Sequence, residues 1–330
     1  MEAAEIVDRR RLRRKLSFWR VAAFIALAAA LVVTARVAGG DETFGTGNAP
    51  QIARITIDGF ISGSREQLDL IAKLAKSDQV KAVIVTINSP GGSTTGGEAL
   101  YDALRRLSKA KPTVTTMETV AASAAYMSAI ATDYIVARRT SLTGSIGVIF
   151  ESPEVSGLLD KLGIKMDEIK SAPLKAEPSP FHPSSAEAKA VIAGVVADTF
   201  AWFVDIVAER RGLDRPTALG LADGRVFTGL QAQAVKLVDE IGGEEVARAW
   251  LTSAKGIDRD LPVRDWKPSS RTGFPFADAA MIWVARQFGL PPGAAEAIGL
   301  DRILPKNLWL DGLLSLWQGS SLKPVNEASR

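Results

Sequence analysis

The sequence predicts an α/β fold, a mainly parallel sheet with flanking helices, preceded by an N-terminal transmembrane helix. Three observations predict it: strand-like and helix-like segments alternate from Gln51 onward, one early run of fifteen residues carries no charge, and the composition is globular. At 47% hydrophobic and 23% charged, the 330 residues can bury a sizeable core, which excludes disorder throughout. With no Cys and one His, disulfide frameworks, thiolate nucleophiles and Cys- or His-rich metal centres are excluded. No cofactor is expected.

The net charge of +3 is local. Residues 1–20 hold seven Lys or Arg against three acids, and the other 310 residues sum to −1. A nucleic-acid face on the folded body therefore has no support. The basic cluster instead precedes Val21 to Ala35, an uncharged run flanked by Arg20 and Arg36. Fifteen helical residues rise about 23 Å, and snorkelling arginines extend that toward the ~30 Å hydrocarbon core. By the positive-inside rule residues 1–20 stay cytoplasmic, 21–38 cross as a signal-anchor, and the rest is extracytoplasmic. A cleaved signal peptide is the competing reading. Residues 39–50, rich in Gly, read as a linker.

The body then follows in order. Ile52 to Ile57 reads as a strand, Glu66 to Lys76 as an amphipathic helix, Val80 to Ile87 as a buried strand and Gly97 to Ser108 as a helix. Thr113 to Val120 is a further strand and Ala121 to Thr132 a helix of small residues. Tyr134 to Ala137 and Ile146 to Ile149 are short strands, Glu154 to Leu162 a helix, and Ile164 to Ile169 a strand. Ser184 to Arg211 is a long helix, with shorter ones at Pro216 to Leu221, Gly229 to Val238 and Glu244 to Ala254. Strands alternating with helices build a parallel sheet covered on both faces.

Two βα junctions bring backbone close to something. Asn88-Ser89-Pro90-Gly91-Gly92-Ser93 ends the strongest strand, where open α/β sheets place their sites. Ala121-Ala122-Ser123-Ala124-Ala125 puts Ser123 at the opening of a helix. Taken singly, the first is a Gly-rich turn and the second an N-cap or packing serine.

Together, NSPGG and the following AAS resemble the Clp protease and crotonase superfamily. Leu142-Thr143-Gly144-Ser145-Ile146-Gly147, the stretch from Lys170 to Pro180 (KSAPLKAEPSP), Ala222 to Gly229 (ADGRVFTG) and Ala234 to Gly242 (AVKLVDEIG) are similar to the signal peptide peptidase A family. The resemblance covers roughly Gln51 to Val246. It implies Ser123 as nucleophile, Lys175 as general base, Ser145 orienting the lysine amine, and the N–H groups of Gly92 and Ala124 as oxyanion hole. The only histidine, His182, lies among prolines and reads as a surface loop residue, and no histidine follows the serine where the Clp subunit has one. Lys170 is the rival base, with an ordinary surface role expected.

A lysine base must be neutral. Its pKa has to fall from ~10.4 to near 7 or 8, against about 3 to 4 kcal/mol. Burial or a nearby cation does that. The resemblance implies a homo-oligomeric ring or dome with the dyad shared between protomers, which supplies a covering surface. The Asp223-Gly224-Arg225 stretch reads as a tight turn with an ion pair at the rim or the protomer interface.

The expected organisation is thus a Ser-Lys peptidase domain over 51–255 and a C-terminal extension over 256–330. In that extension Met281 to Leu290 and Asn307 to Trp317 are apolar, suited to packing or to the membrane interface. The expected function is a single-pass serine endopeptidase of a bacterial inner membrane, cleaving hydrophobic peptides such as released signal peptides. The alternatives are an inactive membrane scaffold of the same fold and a crotonase-like acyl-CoA enzyme.

Overall fold

Runs of β-branched residues set the sheet. In the computed structural model, which describes Trp19, Arg20, residues 49–268 and 313–316, Gln51–Ile61 forms β1 and Val80–Ser93 forms β2. Thr113–Ala122 is β3, Tyr134–Ala137 β4, Glu240–Ile241 β8 and Val263–Asp265 β9. These six run parallel in the order β9-β1-β2-β3-β4-β8. The chain divides into two units. One holds residues 50–268 and 300–330; the other, 1–49 with 269–299, is described only at Trp19, Arg20 and Ala49. The expected anchor at 21–38 and most of the linker and of the extension lie outside the described residues.

Side-chain alternation decides what covers each face. Ala53, Ile55 and Ile57 of β1 join Val83, Val85 and Ile87 of β2 in the larger core cluster. Over them pack α1 (Arg65–Lys76), α2 (Thr94–Ala110), α3 (Ala124–Ile130) and the end of α5 (Ala186–Arg211). The opposite face carries Ile52, Ala82, Ile84, Val114 and Val136 against Ala247 and Leu251 of α8 (Glu244–Lys255). Ser64 and Ser93 cap α1 and α2, each accepting a bond from a backbone N–H in the first turn.

The glycine loop is not a loop. Strand β2 runs through Asn88-Ser89-Pro90-Gly91-Gly92 to Ser93, because β1 stays paired alongside it to Ile61↔Gly92. The short strands β5 (Leu142–Gly144) and β6 (Ile149–Phe150) stand in place of the single strand expected at 146–149, and β7 (Val226–Thr228) pairs antiparallel with β5. The strand expected at Ile164 to Ile169 is absent. That segment alternates apolar and polar residues but has no ladder partner, and Ile164, Met166 and Ile169 stand exposed, Ile169 fully. A short α4 (Ser156–Lys161) precedes it.

Helix α5 is divided in its burial. Phe203, Val204, Ile206 and Val207 sit in the core, whereas Val191 and Val195 are 50% and 42% exposed. Gly212, at φ 61°, ends it in the left-handed conformation. Among the described residues α5 alone is long and apolar enough to cross a bilayer, yet its C-terminal half is a core element of the sheet layer. Helices α6 (Arg215–Gly220) and α7 (Gly229–Ala234) complete the body. The last described strand, β10 (Leu313–Leu316), pairs antiparallel with β2 and with β6.

Candidate active site

Ser123 sits where β3 gives way to α3, with φ 60° and ψ −121° and a relative exposure of 1%. A non-glycine residue there costs about 1–3 kcal/mol, and it persists only where the surroundings over-determine it. They do so here: the Ser123 N–H donates to the Gly144 carbonyl at 2.9 Å, and the Ser123 carbonyl accepts from Met127 N–H at 3.0 Å. Gly97 of α2 is needed underneath, since a Cβ on it would lie 2.9 Å from the Ala124 Cβ.

Parallel pairing of β3 with β5 aligns Ala122 with Gly144, so Ser123 and Ser145 follow at the ends of adjacent strands about 4.8 Å apart. Ser145 is also bent into positive φ, at 48°, and its N–H donates to the Arg225 carbonyl at 2.8 Å. Gly144, at φ 82°, leaves room for the Phe227 ring, which a Cβ would meet at 2.6 Å. On the other side β2 pairs with β3 up to Ser89↔Ala121, which brings the Gly91-Gly92 stretch beside the same junction. Gly92 is packed against β1 so closely that a Cβ would stand 1.9 Å from the Ile61 carbonyl oxygen. Ala124 opens a helix, and the first N–H groups of a helix have no intrahelical acceptor. Four of the five expected site residues, Ser123, Ser145, Gly92 and Ala124, thus converge at the carboxyl ends of β2, β3 and β5.

Lys175, the fifth, differs from the buried Ser123 in its surroundings. It is exposed on a turn, its N–H donating to the Ala172 carbonyl at 3.0 Å. One expectation about its neighbours needs correcting. Lys170 is no ordinary surface residue: its Nζ lies 2.6 Å from Glu177 Oε1 and 2.6 Å from Glu168 Oε2. His182 lies in a partly exposed surface loop as expected, and there its Nε2 stands 3.2 Å from Glu177 and 3.4 Å from Glu168. The Glu177 side chain is only 7% exposed, and its Oε2 accepts from Ser179 N–H at 3.2 Å. Glu168, Glu177 and His182 stand close enough to share a metal ion, but the Lys170 ammonium already bridges the two carboxylates. Nothing in the residues near position 175 announced this cluster; the only signal was acidic residues flanking a lysine-rich turn.

The Lys170–Glu177 pair closes the turn that carries Lys175, and its pH window follows from the shifts. Bonding to Lys170 first of all holds Glu177 and Glu168 below the usual carboxylate range, and the two carboxylates, Glu168 foremost, hold Lys170 above the usual lysine range. Carboxylates depressed in the folded state contribute above their unfolded value and lose that contribution as pH falls through the folded one; a raised lysine contributes below its unfolded value and loses it as pH rises. The closed turn is therefore expected between about pH 5 and 10. Hydrogen exchange over 166–182, corrected for its intrinsic pH dependence, should be slowest in that window, and Glu177→Gln should speed it at pH 7. Equal exchange in wild type and variant would contradict the clamp.

Asp223 and Arg225 form a fork-like ion pair within their own turn, and Gly224, at φ 84°, permits the turn. The Arg225 carbonyl, not its guanidinium, is what holds Ser145.

Comparison with known proteins gives the family of the chain. Residues 105–258 match Peptidase family S49. Over 254 residues the chain is 34% identical to a putative protease of Synechocystis, covering 75% of this chain and 91% of that protein. The chain belongs to peptidase family S49. A putative signal peptide peptidase of Enterococcus faecium is 34% identical over 268 residues, 77% of this chain and 76% of the relative. A putative protease of Methanocaldococcus jannaschii is 41% identical over 184 residues, 56% of this chain, and the match spans 59% of that relative's length. In this S49 chain the family segment contains Ser123, Ser145 and Lys175, while Gly92 lies before it.

Proposed function

We propose that this S49 peptidase is a membrane-anchored serine endopeptidase in which Ser123 attacks and Lys175 is the base, acting on hydrophobic peptides such as cleaved signal peptides. The observation that carries the reading is the strained Ser123, held between the Gly92 strand and the Ser145 turn. Strain kept at one buried serine beside close-packed backbone marks a reacting group more than a packing one. The Ser123 hydroxyl adds to the scissile carbonyl as Lys175 takes its proton. The developing oxyanion is held by the Gly92 and Ala124 N–H groups, and the Lys175 ammonium then protonates the leaving amine. Water resolves the acyl-enzyme by the same route. Ser145 orients the lysine amine.

Since Lys175 is exposed in one protomer, the dyad is completed by assembly into a homo-oligomeric ring or dome. Exposed apolar residues around the lysine turn and on α5, Ile169, Leu174, Phe181, Val191 and Val195, support that reading. Burial of these side chains by a second copy supplies the desolvation that a neutral lysine requires. We further propose that residues 1–20 are cytoplasmic, 21–38 the inner-membrane anchor, 39–50 a linker, 51–255 the peptidase domain and 256–330 an extension. The anchor would hold the site beside the bilayer, where such peptides are released.

A serine-directed fluorophosphonate applied to the full chain in detergent tests the nucleophile. Mass spectrometry is expected to find one adduct, on Ser123, lost in Ser123→Ala. No adduct on an intact oligomer would favour the inactive scaffold, and binding of coenzyme A would favour the crotonase-like reading.

A further inference from the structure

Strand β10 occupies an informative place. Gly92 is paired with Ile61 of β1 and also with Ser315 of β10, and a strand residue has only two edges. So β10 lies on the edge of β2 opposite β1. That edge belongs to β3 from Val83 to Ser89, and β3 leaves it at Ala121, two residues before Ser123. Strand β10 takes over the vacated edge through Leu314↔Ser93, Ser315↔Gly92 and Leu316↔Gly91, running antiparallel and heading toward the end of β3. Its other edge is closed by β6, through Leu313↔Phe150 and Leu314↔Ile149, just beyond the Ser145 turn. Four uncharged residues from a distant part of the chain thus fill a slot between the glycine strand and β6, beside the serine junction.

We infer that this slot is the peptide-binding cleft and that Leu313–Leu316 is its internal occupant, a self-inhibitory strand that must leave before substrate enters. The inference rests on the peptidase reading above and adds how the substrate is held. An extended peptide adding to β2 at Gly91–Ser93 would use the same main-chain groups that β10 uses, so the two exclude each other. The ligand class is an extended, uncharged peptide bound antiparallel to β2 through its backbone. The chain thereby meters its own activity: apparent affinity for substrate falls by the fraction of molecules in which the slot is filled.

Proline removes a backbone N–H and breaks a central ladder, and neighbouring residues of a strand face opposite edges. Leu314→Pro and Ser315→Pro, made separately in the full chain, therefore cover both ladders. At least one is expected to lower KM for a Leu/Ala-rich fluorogenic peptide about tenfold with kcat little changed. Unchanged or raised KM in both variants would overturn the inference. A second measurement needs no turnover: fluorescence anisotropy of a labelled peptide of sequence 312–318 (GLLSLWQ), with Ser123→Ala as background. The released variant should bind it at least tenfold more tightly than the unreleased chain; equal binding would overturn the cleft. If the probe binds as expected while every peptide stays uncut, the cleft stands and the peptidase reading falls. If peptides are cut and neither KM nor probe binding moves, this inference alone falls.

Discussion

Ser123→Ala should abolish peptide hydrolysis, lowering kcat/KM by about 10⁴-fold or more, while leaving the protein folded. The substitution is clean for a structural reason. Alanine has the same Cβ as serine, so the strain at φ 60° and ψ −121° is unchanged, and the backbone bonds to Gly144 and from Met127 need no hydroxyl. The attacking oxygen is lost. Thermal unfolding within a degree or two of wild type, together with kcat/KM at the uncatalysed background, is the expected pair of results. Residual activity above about a hundredth of wild type would mean that another group attacks.

Gly92→Ala should damage both stability and rate. Its new Cβ would meet three backbone atoms of Ile61, the carbonyl oxygen at 1.9 Å and the carbon and nitrogen at 2.6 Å, so β1 has to move away from β2. Overpacking against backbone of this severity is expected to cost about 3 kcal/mol, read as a lower urea midpoint at unchanged slope. Displacing the Gly92 N–H removes one oxyanion donor, a further loss of about 10²–10³ in kcat among molecules that remain folded. Gly157→Ala is the control: it lies in a helix with nothing within 4 Å of the added carbon, so it should leave activity alone and raise stability by up to about 1 kcal/mol. Equal midpoints for Gly92→Ala and wild type would contradict the close β1–β2 approach.

The elements that were legible are those long enough to show a period. Val80 to Ile87 reads as a buried strand because its residues face packed helices on both sides, and Glu66 to Lys76 and Glu244 to Ala254 read as helices from their apolar spacing. Strands β5 to β9 have two or three residues each and carry no period to read. The segment from Ile164 to Ile169 misled because alternation reports a pattern, not a partner, and without a ladder the same residues remain exposed.

The site divides in the same way. Gly92 and Ser123 were legible because close backbone approach and a strand-to-helix turn demand small residues. The positive φ of Ser123 and Ser145 was not, since neither is glycine or asparagine and the tertiary bonds to Gly144 and Arg225 impose it. The Lys170 cluster depends on a turn that folds residue 170 back onto 177, and β10 depends on pairing across more than two hundred residues. No local rule reports either.

The central claim is that Ser123 and Lys175 act together across protomers, and complementation tests it most directly. Full-length Ser123→Ala and Lys175→Ala would be purified separately in detergent, then mixed under conditions that exchange subunits, with hydrolysis of a Leu/Ala-rich peptide followed throughout. Each variant alone should be inactive, and the mixture should regain a measurable fraction of wild-type kcat at unchanged KM. Full activity in Lys175→Ala, or a mixture that exchanges subunits and stays inactive, would contradict the shared dyad.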